Sequence, residues 1–448
     1  MPGETSLEDF GYRQELKRSL GLPALIIYGL LFINPTSPFS IFGIVFNLSH
    51  GMVPLVYVIG LGAMLFTASS YVTMARAFPV AGSVYSYAGR GIGPAAGFLA
   101  GWALLLDYVL MPTLIYVLCA IAIEALVPGV PRALSIVVVL CFNTGINLLG
   151  IEANARMNAI MLAIVMIFLA LFFVLGLIAL ANGVAGAHLS TAPFYQPGQL
   201  SSAVVFGALS VATLNFLGFD GISTLVEEAR DGARAVGRAM LWSVCLAALL
   251  FIAATYLASL FVLDLDSFPP GAATDGAFYS IAATIGGPWF LAAASSKVLV
   301  AGVAVAAAAQ VATARLMYGM ARDGRLPRPL AQVNPRRQVP QRAILLVAFV
   351  NLVTGLVFAQ EFELLTTLVC FGALVGFLLL HLSVLVHFGW RQKSGRWMLH
   401  VVVPLVGAAI TAYVLWNMAR NAQLVGAAWL AIGIAATFAA RLFRRAGS

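Results

Sequence analysis

Two long apolar stretches of this chain are broken mid-way by residues that cannot continue a helix, at matching places in its two halves. The first break reads Asn34-Pro35-Thr36-Ser37-Pro38 and the second Leu217-Gly218-Phe219-Asp220-Gly221. The flanking runs are long enough to cross a bilayer, so both breaks are expected at membrane depth. Backbone there leaves the helical ladder only where protein packs it or a wet cavity receives it. Paired interruptions in the two halves of a membrane protein are the best sequence pointer to a solute site.

Composition rules out a water-soluble fold. Hydrophobic residues make up 61% of the 448 residues and charged residues 9%, against roughly 25% charged in soluble domains. Apolar runs of about 20 residues predict twelve spans, near 23–46, 52–74, 93–127, 133–149, 157–181, 201–226, 237–262, 288–318, 342–359, 363–389, 399–418 and 422–441. The expected fold class is therefore an all-α polytopic membrane protein. Starting from a cytoplasmic N-terminus, all but three of the 25 Lys and Arg residues fall on the inner side. Arg132 and Arg420 fall outside, and Lys297 lies within a span. Outer loops 182–200 and 263–287 hold no Lys or Arg, whereas inner loop 315–342 is rich in Arg. This positive-inside bias predicts an inner-membrane protein with both termini cytoplasmic. It also accounts for the formal charge of +8, which suits anionic membrane lipids and calls for no nucleic-acid partner. The first 20 residues are polar and charged, so no cleavable signal peptide is expected. Cys119, Cys141, Cys245 and Cys370 sit in apolar spans and read as small hydrophobes, with no disulfide or metal.

No linker divides the chain. The expected organisation is a cytoplasmic segment at 1–22, five spans in 23–181, five more in 201–389, two in 399–441, and a tail at 442–448. Each break lies in the first span of its unit. An odd number of spans per unit makes the second enter the membrane from the opposite side, giving an inverted 5+5 repeat with discontinuous helices 1 and 6. Segments 83–92 and 273–285 are predicted as short interfacial helices.

At the first break, Pro35 and Pro38 remove backbone donors and forbid continuous helix. A broken helix offers carbonyls from one half, which suit an ammonium, and amides from the other, which suit a carboxylate. Asn34, Thr36 and Ser37 add neutral polar groups. At the second break, Gly218 and Gly221 let the backbone unwind or approach a ligand closely. Phe216 or Phe219 could cover a solute or stack on a cationic headgroup. Asp220 is the leading candidate to bind an ammonium, carry a coupling proton, or both.

Further charges lie in apolar surroundings, where each costs at least about 2.5–3.5 kcal/mol and should face the bundle interior. Asp107 sits mid-span beside Tyr108, and Tyr116 follows just over two turns later. Lys297 lies about nine residues, roughly 13 Å, into the eighth span. An ammonium in apolar surroundings can surrender its proton. Lys297 could therefore carry a coupling proton, neutralise Asp107 or Asp220, or bind an anionic group. Glu124 is expected to snorkel to water, and His381 to be a satisfied polar group. Glu227 and Glu228, with Arg230, Arg234 and Arg238 nearby, suggest an ion-pair cluster at the inner end. No phosphate-binding loop, metal-ligand spacing or nucleophile triad is present, so neither an enzyme nor an ATP-driven pump is indicated. No cofactor is expected.

Residues 78–102, FPVAGSVYSYAGRGIGPAAGFLAGW, resemble the stretch after the second helix of amino acid–polyamine–organocation (APC) superfamily permeases. Phe78, Pro79, Ala81, Gly82, Tyr85, Tyr87, Gly97, Phe98, Gly101 and Trp102 match, and Ser83 replaces the usual second Gly. Residues 215–228, NFLGFDGISTLVEE, resemble the superfamily's broken sixth helix, and 321–327, ARDGRLP, its loop after the eighth. FGIV (42–45), LLDY (105–108), FLGFDG (216–221) and TLVEEARDGAR (224–234) are most similar to bacterial putrescine importers. Those importers commonly carry an acid after the first break, where this chain has Phe39-Ser40-Ile41. Ser40 cannot supply the negative charge a diamine favours. In proton-coupled relatives a lysine of the fifth helix replaces a sodium ion, and this chain has Val165 near that position.

The resemblance implies a secondary active transporter, with a proton as coupling ion and a small amine such as putrescine, or a cationic amino acid, as substrate. A neutral or anionic amino acid is the alternative on the same fold. A channel or a substrate sensor is the more distant one.

Overall fold

The computed structural model describes residues 18–79, 83–126, 129–269, 272–324, 326–359, 362–418 and 420–446. The segment 1–17, Ala81, Gly82, the end of the tail and the Glu124 side chain lie outside the described residues. Among the described residues sixteen α-helices follow one another: α1 (Leu22–Ile33), α2 (Ser37–Ser40), α3 (Phe42–Leu48), α4 (Val53–Ala77), α5 (Ser83–Gly91), α6 (Pro94–Leu126), α7 (Arg132–Leu149), α8 (Ile151–Ala181), α9 (Ser202–Ala212), α10 (Gly232–Ser259), α11 (Ala272–Asp275), α12 (Ala277–Arg322), α13 (Gln341–Val357), α14 (Phe362–Val384), α15 (Val403–Trp416) and α16 (Arg420–Ala446). Among the described residues, ten helical stretches have the length and apolarity to cross a membrane, and α13 is a shorter apolar helix. The protein is accordingly a multi-pass membrane protein.

Local chemistry sets the helix ends. α1 and α4 open with proline in the first turn, where its missing N–H costs no helical bond. Within α12 the outer segment expected near 273–285 and the span expected from 288 are two helices, divided at non-helical Gly287 (φ 73°, ψ −166°) before Pro288. That conformation is open to glycine and strained for other residues. α5 occupies the place of the short helix expected at 83–92.

α4 packs on α10, α6 on α12 and α14, and α1 against α8, α10 and α12. Small residues permit these approaches, as between membrane helices generally. A Cβ on Gly29 of α1 would stand 2.4 Å from Ile222 Cδ1, and one on Gly302 of α12 would stand 2.5 Å from Cys119 Sγ. Outward faces of α7, α8 and α13 carry exposed apolar side chains, among them Val138, Phe142, Ile167, Val174, Phe349 and Leu356. In water such a belt would drive aggregation; against lipid tails it is the expected surface. Cys141 is exposed on this belt and Cys245 half-buried, so only Cys119 and Cys370 are the buried hydrophobes that the sequence suggested for all four. The apolar environment that the sequence signals is lipid at those two positions.

Candidate functional site

The first break is a hydrogen-bonded turn. α1 ends where Asn34 adopts φ 58° and ψ 100°, and the Ser37 amide donates to the Asn34 carbonyl at 2.8 Å. The Asn34 side-chain oxygen accepts from the Thr36 amide at 3.2 Å and from the Thr36 hydroxyl at 2.9 Å. A short polar side chain that bonds its own backbone two residues on is a standard way to hold such a turn. Pro35 and Pro38 then prevent α1 from continuing into α2 and α3.

The second break is made by glycine and an acid. α9 passes into a tight helical turn, Thr213–Phe216, then extended Leu217 and left-handed Gly218 (φ 110°), before a second tight turn, Phe219–Leu225. Asp220, 1% exposed, accepts from the Gly218 amide at 3.2 Å through one oxygen. Its other oxygen accepts from the Tyr108 hydroxyl of α6. The Thr313 hydroxyl of α12 in turn donates to the Tyr108 carbonyl, fixing that part of α6.

Phe32, the penultimate residue of α1, joins the two breaks. A Cβ on Gly218 would stand 3.0 Å from the Phe32 ring and 3.1 Å from its carbonyl carbon, and one on Gly221 would stand 2.5 Å from the ring. Glycine at both positions lets the Phe32 ring and main chain approach the second break closely. In this conformation the end of α1 is packed against the second break. A small cleft lies elsewhere, lined by Asn147, Glu228, Arg315, Tyr318 and Pro340 among others.

Lys297, 6% exposed on α12, belongs to the first break. Its ammonium donates to the Thr36 hydroxyl at 3.0 Å and lies 5.7 Å from the Phe39 ring centre and 5.2 Å from that of Phe168 on α8. Among the described residues it pairs with neither Asp107 nor Asp220, so the expectation that it neutralises one of them is corrected.

Other sequence candidates separate. Asp107 is buried where α6 meets α14: a Cβ on Gly372 would stand 2.8 Å from its amide nitrogen. Tyr116 is buried beside Asn143 of α7 rather than at Asp220. Eight residues rotate a helix by about 80° beyond two full turns, enough to send Tyr108 and Tyr116 to different neighbours. Phe216 packs in a core cluster with Tyr57 and Phe251. Phe219 packs on Tyr71 and Phe377. Ser40 is exposed, whereas Pro35 and Thr36 are buried. The Ser37 and Tyr71 hydroxyls are buried without a hydrogen bond of good geometry. His381 is held by Ser70 at 2.9 Å and Thr67 at 3.3 Å, a satisfied buried polar group.

Beyond the second break, Glu228 and Glu227 form forked pairs with Arg315 (2.6 and 3.2 Å) and Arg322 (3.0 and 3.3 Å). These partners come from α12, because the segment after the break lies along the end of α12. Leu20 is tied there too: its amide donates to the Glu228 carbonyl at 3.0 Å, and the Arg230 amide donates to the Leu20 carbonyl at 2.9 Å. Sequence reasoning missed Phe32, Phe39, Phe168 and Thr313, which are ordinary apolar or polar helix residues until the fold brings them to the breaks.

A multi-pass helical protein with two facing helix breaks, one acidic and one held by a cation, has the makings of a permease for small solutes. The amino acid permease family profile matches residues 26–440, and the chain belongs to that family of transporters. It is 34% identical over 431 residues to the low-affinity putrescine importer PlaP of Escherichia coli (strain K12), covering 94% of this chain and 93% of that protein. It is 25% identical to the branched-chain amino acid permease BcaP of Lactococcus lactis subsp. cremoris (strain MG1363), covering 84% and 83%. It is 26% identical to the methylthioribose transporter of Bacillus subtilis (strain 168), covering 94% and 92%.

Proposed function

We propose that this protein is a proton-coupled secondary transporter that imports a small amine or amino acid, held between the two helix breaks. The observation that carries this reading is Asp220. It is a buried carboxylate on unwound backbone, pressed against the other break through Phe32, and oriented by Tyr108 and the Gly218 amide. A carboxylate so held is a ready acceptor for a substrate ammonium. Resemblance to a putrescine importer over nearly the whole chain supports an amine as cargo. On this reading the twelve spans form two inverted five-helix repeats plus two, with both termini cytoplasmic.

The breaks must part to admit cargo. The helices carrying them, with α4 and α10, would rock against α6, α7, α12 and α13. The Glu228–Arg315 and Glu227–Arg322 pairs would close the inner end while the outer end is open. Proton release into a less acidic cytosol would give the cycle direction.

Purified protein in proteoliposomes tests the reading, with labelled putrescine, ornithine and leucine followed with and without an inward proton gradient. Accumulation of one of them above its equilibrium level, dependent on that gradient, is expected. Flux that only ever runs down the solute's own gradient points to a channel and ends the proposal.

A further inference from the structure

We propose that the hairpin between α14 and α15 is a docking surface for anionic phospholipid headgroups, through which the membrane holds α5 against the second break. The side of the membrane rests on the reading with both termini cytoplasmic, on which this surface faces the inner leaflet.

The hairpin is an ordered turn that displays cations. α14 widens into a last turn, Leu385–Arg391, and a second wide turn, Met398–Val402, leads into α15. Between them the Ser394 amide donates to the Phe388 carbonyl at 2.9 Å, and the Ser394 hydroxyl bonds His400 Nδ1 at 2.8 Å. Phe388 stacks on His400 with ring centres 4.3 Å apart, which closes the base of the turn. At its tip Lys393 takes a left-handed φ of 47°, a conformation that is costly for any residue but glycine. The turn therefore presents an ammonium where glycine would form it more readily. Lys393 and Arg396 are both exposed, and among the described residues neither forms an ion pair. From Leu364 to Ser448 the chain has no Asp or Glu, so no acid nearby in sequence offsets these charges.

Two tryptophans set the depth of this surface. Trp390 and Trp397, 81% and 62% exposed, flank the cations, and indole rings so placed settle at headgroup level. The spacing agrees. From Trp397 to Trp416, exposed at the far end of α15, the helical run covers roughly 28 Å, and a bilayer's hydrocarbon core is roughly 30 Å thick. Lys393 and Arg396 then lie level with the phosphates, where each basic side chain favours an anionic lipid. A zwitterionic headgroup offers the same phosphate but cancels it with a cation of its own. Arg391 turns the other way, and its guanidinium donates to the Ile92 carbonyl at 2.7 Å and the Arg90 carbonyl at 3.4 Å, at the end of α5. At the start of α5, the Ser223 hydroxyl, three residues beyond Asp220, donates to the Ser83 hydroxyl at 3.0 Å. α5 thus runs from the hairpin to the unwound segment of the second break.

Lipid retention by the purified full chain tests this, read by native mass spectrometry in detergent titrated with phosphatidylglycerol or phosphatidylcholine. Phosphatidylglycerol is expected to bind about tenfold or more tightly than phosphatidylcholine. Lys393→Ser with Arg396→Ser should abolish that preference, and Lys393→Arg with Arg396→Lys should keep it. Equal retention of the two lipids by the wild type overturns the proposal whether or not any variant folds. So does an unchanged preference in the doubly serine-substituted variant. Displacement of phosphatidylglycerol by an equal concentration of inorganic phosphate would make the turn a site for free anions, and overturns it as well. In proteoliposomes, wild-type uptake should run several-fold faster with phosphatidylglycerol than with phosphatidylcholine alone, a gain the serine substitutions remove. Equal rates in both lipids would overturn the link through α5. If putrescine, ornithine and leucine are accumulated in neither lipid, the transport reading fails, while retention in detergent still decides the docking surface.

Discussion

The two breaks do the same job with opposite chemistry. The first stops a helix with prolines and an Asn34 turn, holds only neutral side chains of its own, and takes its charge from Lys297, 261 residues away on α12. The second stops a helix with glycines and carries its own charge, Asp220, wired to the adjacent Gly218 amide and to Tyr108. Proline fixes backbone and removes donors, while glycine frees backbone and permits contact. Accordingly the first break is the firmer turn, and the second is the one into which Phe32 fits.

The sharpest way to break this comparison is to remove the negative pole. Asp220→Asn keeps the volume and an acceptor for Tyr108 but loses the charge. Uptake of an amine-bearing cargo should fall about a hundredfold or more, as when one partner of a buried charge pair is removed. Size-exclusion behaviour and thermal stability should stay close to wild type. Saturable uptake at the wild-type level would show that the ammonium does not bind there.

A second test concerns how the second break is anchored. Glu228 and Arg315 are both almost wholly buried, so Glu228→Gln leaves an uncompensated guanidinium and should cost about 3 kcal/mol of stability. Glu227→Gln, whose partner Arg322 is 16% exposed, should cost less, about 2 kcal/mol, because water reaches the guanidinium left behind. Equal losses in thermal melts would mean that the two pairs are not graded by burial.

Much of this architecture was legible in the sequence. Apolar runs announce the spans, and Pro35, Pro38, Gly218 and Gly221 announce the breaks, because helix termination is local backbone chemistry. Asp220 is readable for the same reason: an acid beside broken helix needs the amides that the break frees. Lys297 was visible as an anomaly, but its place was not, since nothing near residue 297 specifies contact with Thr36. The same holds for Arg315 and Arg322, which lie far in sequence from the glutamates they pair with. Phe32 and Phe168 carry no local signal, being apolar residues in apolar helices. Partner identity across helices is set by packing, which periodicity alone does not encode.

Gly218 and Gly221 separate two meanings of glycine. Gly218→Ala meets both a left-handed φ of 110° and the Phe32 main chain, neither of which yields readily, and should cost about 2 kcal/mol. Gly221 has no unusual φ, and its Cβ would meet the Phe32 ring alone. Ring rotation can relieve part of that clash, so Gly221→Ala should cost about 1 kcal/mol. Finding the two equally damaging in thermal melts would place the constraint in the ring contact and not in the backbone.

The finest comparison sets one hydroxyl against another. Tyr108→Phe removes the donor to one Asp220 oxygen, and Thr36→Val removes the acceptor of the Lys297 ammonium. Each loss of a hydrogen bond to a charged group is worth about 1.5 kcal/mol, or a roughly tenfold change in half-saturating concentration. If the poles are distinct, Tyr108→Phe weakens every amine-bearing cargo, because all use the Asp220 end. Thr36→Val should weaken such cargo less, since Thr36 makes no contact with Asp220. Uptake of putrescine by the two variants distinguishes these patterns. Equal losses from both substitutions would reduce the two breaks to a single undivided site.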